Sequence, residues 1–412
     1  MLGGPRLRGG ERLLDWGSEG GAGVDKWQRV GPGRIPLVLW GALFAFNALP
    51  WLIFSINDML ALDDRFVSRA GMLWGRDFSN HWFGGTFALQ GMNVYDNAAY
   101  QEAIRGYGAI GFQNYSYPPH TLLLGVILAL LPYPLALFLW VVGGSWLFYR
   151  AAKPFVPFSP WLVLLVPAVA RIPYGQFGLL TSALFLFSMR GSGVAAGLLT
   201  MKPHLGIMLA AAMLVKRRFR QIAVAVGVTL ALLLLAEAWF GLGRSFLDEG
   251  LKTQATVLFN KVDAPYFGVM PSAYVALRHT GLEWIGQAVA ASCALLIMWQ
   301  FRSAELKDMA FPAATATFIV LPYSFAYDMA LVSVGFAVIL YCHWCGLGWA
   351  QRAIAILAFS TPNLVPTGLV PLILLAGLWL QLTVWRRESS APSSADRMKN
   401  PPGAAPILEA VT

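Results

Sequence analysis

The chain has 412 residues, of which 57% are hydrophobic and only 12% charged, with a net charge of +9; its mean hydropathy is +0.58. A soluble domain carries about 25% charged residues, so this composition excludes an ordinary soluble enzyme and points to a chain that crosses a membrane many times. The apolar runs lack period-2 alternation, which excludes a β-barrel and leaves an all-α polytopic bundle; the basic residues gather in short loops and tails, where topology explains them and nucleic acid does not.

Residues 1–34, rich in Gly and Arg and without an apolar core, read as a disordered cytoplasmic tail. The first apolar run, 35–56, has no small-residue cleavage site behind it and reads as a retained anchor. Next comes a long loop, 57–118, holding the polar, turn-rich stretch "RDFSNHWFGGTFALQGMNVYD" at 76–96. Asp77 there either caps a helix over 78–90 or acts as a base or substrate ligand at a membrane–water boundary. Gly91 is the expected stop of that helix and Asp96 a turn residue, while Asp63 and Asp64 read as solvated loop charges. "NYSYPPH" at 114–120 sets Tyr117 before a Pro–Pro pair, either a rigid helix start or a cavity wall. Asn114-Tyr115-Ser116 fits a glycosylation sequon, relevant only in a eukaryotic host.

Further apolar runs lie at 119–132, 134–150, 157–170, 176–189, 193–201, 204–215, 220–240, 285–301, 309–322, 326–345, 350–361 and 367–385. Several fall short of the ~20 residues a straight crossing needs, which predicts half-helices packed against protein or lining a wet cavity. "KRRFR" at 216–220, Arg302 with Lys307, Arg352, Arg150 with Lys153 and "RR" at 386–387 mark the cytoplasmic side. Loops 57–118 and 241–284 are then extracytoplasmic, both tails are cytoplasmic, and about eleven or twelve helices span or re-enter the membrane. This requires 119–132 to be re-entrant or interfacial; if it crosses, Arg150 and Lys153 fall outside and Lys202 inside.

In the first topology Asp77, His81, Tyr117, Arg171, Gln176, Lys202 and Asp328 all face one side. "RIPYGQFG" at 171–178 breaks two apolar runs and offers Arg171 and Gln176 to a phosphate or a sugar, unless it is only an interfacial loop. "LLTMKPHLG" at 198–206 puts Lys202 between two short apolar pieces, where an ammonium suits a lipid phosphate or else snorkels to the interface. "LPYSFAYDMAL" at 321–331 supplies Tyr323, Tyr327 and Asp328; Asp328 calls for a direct role or a cationic partner, Arg171 or Lys202. "CHWC" at 342–345 reads as ordinary helix-end cysteines, the five histidines form no metal spacing, and no nucleotide-binding or nucleophile-elbow motif occurs. No metal or other cofactor is expected.

The ordered stretches resemble glycosyltransferase family 87, polytopic polyprenol-phosphate-mannose-dependent enzymes of the GT-C superfamily. "RDFSNHWFGGTFALQGMNVYD" is similar to its early D-F…G-x-x-x-Y-D signature, and "YPP" at 117–119, "GQ" at 175–176, "AAGLLTMKPHLGIML" at 195–209 and "MPSAYVALRHTG" at 270–281 follow in the family's order. The resemblance implies a GT-C domain over about 35–385, with a tail from 386 to 412, in a bacterial plasma membrane. It implies a polyprenyl-phosphate-linked sugar donor, a glycan or glycolipid acceptor and an active site facing the extracytoplasmic side. Asp77 stands at the family's catalytic carboxylate and Lys202 in its "KP" segment. Lys202 and Arg171 would hold the donor phosphate, and His81, Trp82, Tyr117, Gln176, Tyr327 and Asp328 would contact substrate. Phe325 and Tyr327 in "YSFAYD" depart from the Ser-Trp-x-His-like segment of many members. A secondary transporter or lipid flippase is the rival reading, since broken helices and an intramembrane lysine suit it too.

Overall fold

The computed structural model describes residues 35–390 other than 69, 70, 72, 110–113, 170–174, 176 and 260–264. The expected N-terminal tail therefore lies outside the described residues, as do Arg171, Gln176 and Lys261. Among the described residues the chain is an all-α membrane protein, with one isolated bridge, Val67 to Leu73, as its only extended pairing.

Helix α1 (Leu37–Met59) leads into α2 (Arg76–Leu89), α3 (Asn97–Gly106), α4 (Thr121–Ala129), α5 (Tyr133–Ala152), α6 (Gly178–Met189), α7 (Gly193–Leu198), α8 (Ile207–Val215) and α9 (Phe219–Phe240). There follow α10 (Leu251–Phe259), α11 (Glu283–Trp299), α12 (Ala310–Val320), α13 (Ala330–His343), α14 (Trp349–Phe359) and α15 (Val370–Ser390). Four described segments are long and apolar enough to cross a bilayer: Leu37–Met59, Tyr133–Phe155, Phe219–Phe240 and Glu283–Ser303. Few residues of the Phe219–Phe240 helix are fully buried in protein, and several of its leucines and valines stand exposed on the outside of the bundle.

Several other apolar helices are shorter. Helix α4 has nine residues, so at 1.5 Å per residue it covers less than half of a ~30 Å hydrocarbon layer. The apolar run expected at 157–170 is no helical span: Pro160–Leu165 forms a six-residue 3₁₀ turn, with prolines at 157, 160 and 167 breaking the pattern. The last helix continues through Arg386 and Arg387 to Ser390, beyond the boundary expected at 385, and His343 Nε2 lies 3.1 Å from Glu388 Oε1.

Two cores form. The larger gathers the inner faces of α6, α8 and α11–α15. The smaller belongs to the loop between α1 and α5 and is aromatic: Phe78, Phe83, Phe87, Tyr95, Tyr100, Tyr115 and Tyr133 bury together. Helix α2 lies hard against α4, because Gly85 and Gly125 meet backbone to backbone and no Cβ fits at Gly85. The far end of α2 closes as expected: Gly91 takes φ +67°, its N–H donates to Ala88 O at 3.2 Å and that of Met92 to Phe87 O at 3.0 Å, a Schellman stop. Asp96 then caps α3, accepting from the N–H groups of Ala98 and Ala99, each at 3.1 Å. Asp63 likewise closes a local turn, accepting from Val67 N–H at 2.7 Å.

The bundle has two chemically distinct ends. At one, the segment after α9 docks on the first loop: Asn97 Nδ2 donates to Thr253 Oγ1 at 3.1 Å and Phe246 packs on Tyr95. At the other, basic residues converge: Lys216 donates to Arg302 O at 2.6 Å, Arg386 to Gln300 Oε1 at 3.0 Å and Arg352 to Trp344 O at 2.9 Å. The 22 residues of α9 separate these ends by about 33 Å.

Candidate active site

The site is built at three breaks in the helical pattern. Lys202 sits between two 3₁₀ turns, Leu199–Met201 and Pro203–Gly206, with φ −135° and ψ 72°. Pro203, lacking an N–H and with φ fixed by its ring, prevents α7 from running into α8 and leaves the lysine at the kink. Asp328 ends the 3₁₀ turn Ala326–Asp328, between the extended Phe325 and the start of α13. Glycine makes the third break: Gly175 takes φ +67°, and a Cβ there would overlap Phe78 of α2.

The first two breaks meet. Lys202 Nζ donates to both carboxylate oxygens of Asp328, at 2.7 and 2.6 Å, and the two residues are 5% and 3% exposed. Of the two partners expected for Asp328, the structure supplies Lys202. A pair so buried is costly to break, because either partner alone would be an uncompensated charge. Gly178, the first residue of α6, comes so close that a Cβ on it would stand 3.3 Å from Asp328 Oδ1. The carboxylate therefore also abuts the electropositive N-terminus of a twelve-residue helix.

Asp77 is not a cap. Gly75, with φ +78°, holds that position and Asp77 is the second residue of α2. Its half-buried carboxylate lies within electrostatic reach of Tyr117, Tyr133, Tyr323 and Tyr327. Tyr117, Tyr323 and Tyr327 are equally within reach of Asp328, so both carboxylates surround one aromatic cluster. One turn on from Asp77, His81 is 1% exposed, stacked on Phe177 at 4.8 Å and beside Tyr117 at 4.6 Å and Trp140 at 5.3 Å. Neither ring nitrogen has a hydrogen-bond partner among the described residues. Burial, and then the charge of Lys202, press its pKa down to about 3, so His81 is a neutral imidazole offering one donor and one acceptor. His204 Nε2 and the Ser324 hydroxyl are likewise buried without partners, and the His204 ring meets Tyr323 edge-on at 5.8 Å.

Beside this polar cluster runs an apolar cavity of about 240 Å³ between α4, α5 and α6. Leu124, Leu128, Leu139, Leu179 and Leu180 line it, and Gly143 and Gly144 widen it. Leu139, one of its lining residues, is 46% exposed. Trp140 and Tyr327 line it too. Trp140 is fixed by its indole N–H, which donates to Gly175 O at 2.8 Å. Tyr327 lines the cavity, stacks on Phe325 at 5.0 Å and carries Lys202 Nζ 5.2 Å from its ring centre.

Asp77, His81, Tyr117, Lys202, Tyr327 and Asp328 thus come together. Trp82 does not join them: its indole N–H donates to Leu131 O at 3.0 Å and its ring packs on Phe83, Tyr107 and Tyr133. Sequence reasoning missed Trp140, Phe177 and His204. Trp140 sits in "ALFLWVVGG", which reads as plain lipid-facing helix; the Gly143–Gly144 pair inside it was the available signal of a cavity. Among the described residues, no three His, Cys, Asp or Glu side chains gather into a possible metal site.

Residues 115–333 match the family model of glycosyltransferase family 87, over half of the chain. The chain belongs to glycosyltransferase family 87. It is therefore a membrane glycosyltransferase, which uses a sugar donor and a glycan acceptor. The family match takes in Tyr117, Lys202, Tyr327 and Asp328 and begins after α2, so Asp77 and His81 lie outside it. Among curated proteins and solved structures, none matches the chain.

Proposed function

We propose that this family 87 enzyme moves a hexose, mannose or a close relative, from a polyprenyl-phosphate-linked donor to a hydroxyl of a glycan or glycolipid acceptor, with inversion at the sugar. The reading rests above all on Tyr327. One side of this residue lines the apolar cavity, and its ring stands 5.2 Å from the Lys202 ammonium. An isoprenoid tail entering between α4 and α5 would thus bring its phosphate to the one buried cation among the described residues. The transporter reading has no comparable support, since the family is one of transferases.

In this scheme Asp77 is the general base. A free carboxylate has a pKa near ~4 and cannot ionise an alcohol beforehand, so it takes the acceptor proton as the new bond forms. Attack comes from the face opposite the phosphate, and the oxocarbenium-like sugar is flanked by the Tyr117, Tyr323 and Tyr327 rings. The departing phosphate already carries charge, so it needs a cation more than an acid, and Lys202 supplies it. His81 donates to or accepts from a sugar hydroxyl, which satisfies one of its two orphaned nitrogens. Arg171 and Gln176 remain proposed phosphate and sugar contacts. The basic cluster at the opposite end supports an extracytoplasmic site and a plasma-membrane orientation with that cluster inside, in keeping with a GT-C architecture.

The experiment is transfer of radiolabelled sugar by purified protein. A polyprenyl-phosphate hexose should serve as donor and a nucleotide sugar should not; transfer from the nucleotide sugar, or transport of the lipid across vesicles without transfer, would refute the proposal.

A further inference from the structure

Lys202 does not wait for its phosphate alone. Two of its three N–H donors are already taken by Asp328, and the pair is neutral as a whole. We propose that Asp328 is a positioning residue that acts as a resident rival to the donor phosphate. It holds the ammonium over Tyr327 while the site is empty, then gives up one of the two hydrogen bonds when phosphate arrives. The inference rests on the reading of Lys202 as the phosphate contact.

The physical case has three parts. First, an ammonium that is 5% exposed would be strongly disfavoured in the empty site without an anion beside it. Second, Asp328 lies close to Gly178, the first residue of α6, so the positive end of that helix offsets part of its charge when Lys202 turns partly toward a phosphate. Third, charge balance favours release. The donor phosphodiester bears one negative charge, whereas the released polyprenyl monophosphate bears nearly two around neutral pH. A fixed carboxylate beside the ammonium repels the second charge most and keeps the product from lodging on an unopposed cation.

The test measures binding of two probes to the purified full-length protein: polyprenyl monophosphate, and the same polyprenol without phosphate. The wild type should prefer the phosphate. Asp328→Asn should bind the monophosphate roughly tenfold to a hundredfold more tightly, the size expected for removing one charge a few ångström away, with the alcohol unchanged. Asp328→Glu, which keeps the charge, should return phosphate affinity towards wild type. Wild-type preference with no tightening in Asp328→Asn overturns the rival role and leaves the phosphate reading standing. No preference in the wild type overturns the phosphate reading, and the rival role with it. Should Asp328→Asn fail to fold, the double variant Lys202→Met with Asp328→Met decides. It removes both charges at once, a change buried pairs commonly tolerate. It should bind the alcohol normally and lose the preference for phosphate; retention of that preference overturns the phosphate reading of Lys202, and the rival role with it.

Discussion

Replacing Gly85 with alanine should slow the enzyme from a distance. A Cβ at Gly85 would run into the Gly125 carbonyl and stand 2.7 Å from Val126 N. These are backbone atoms of α4, and they cannot rotate aside. To make room, α2 must retreat by about 1 Å, at an overpacking cost of about 1–3 kcal/mol. Helix α2 carries His81 one turn and Asp77 two turns before the crossing, and a helix shifts as a rigid body. A 1 Å misplacement of a reacting group costs on the order of a hundredfold in rate. Gly85→Ala should therefore lower kcat by about a hundredfold while purified protein still shows a cooperative melt. Gly227→Ala is the control. Nothing lies within 4 Å of a Cβ there, so it should keep full activity and gain up to about 1 kcal/mol of helix stability. Wild-type kcat in Gly85→Ala would refute the argument that the α2–α4 contact sets the position of Asp77.

Asp77 inside α2 and Asp96 beyond its end should part company. Asp96→Ala loses the cap of α3 and should cost about 1 kcal/mol of stability, read as a lower Tm, with kcat unchanged. The apolar cavity should be closed by Gly143→Phe, since Gly143 lines it and a Cβ there would meet nothing within 4 Å. KM for a long polyprenyl donor should rise about tenfold or more while a short-chain donor is used as before; an equal loss for both donors would contradict a lipid seat.

How much of this was legible in the sequence depended on whether a feature is local. The stop at Gly91 follows from backbone conformation and short-range hydrogen bonds and appears as read, while Asp96, read as a turn residue, proves to be the cap of α3. The break at Lys202–Pro203 was equally local. Asp328 was legible as a group in need of a cation, but the choice between Arg171 and Lys202 spans 126 positions of chain and belongs to tertiary packing. The cap reading of Asp77 failed for a related reason. Asp is a favoured cap, yet Gly75 can take the left-handed conformation that the entry into α2 requires, which starts the helix earlier and moves Asp77 inside it. Trp82 and Trp140 exchanged roles for want of a partner in view: one spends its N–H on Leu131, the other on Gly175 beside the site. The run at 157–170 looked like a span because hydropathy averages over its prolines, which decide its backbone.

Asp77 carries the proposed chemistry most directly. Asp77→Asn keeps the size of the side chain and removes its basicity. With a polyprenyl-phosphate donor at saturation, kcat should fall by about a hundredfold to ten-thousandfold, while Tm and donor binding stay at wild-type values. Near-normal turnover in Asp77→Asn would contradict the assignment of the base and, with it, the proposed chemistry of the site.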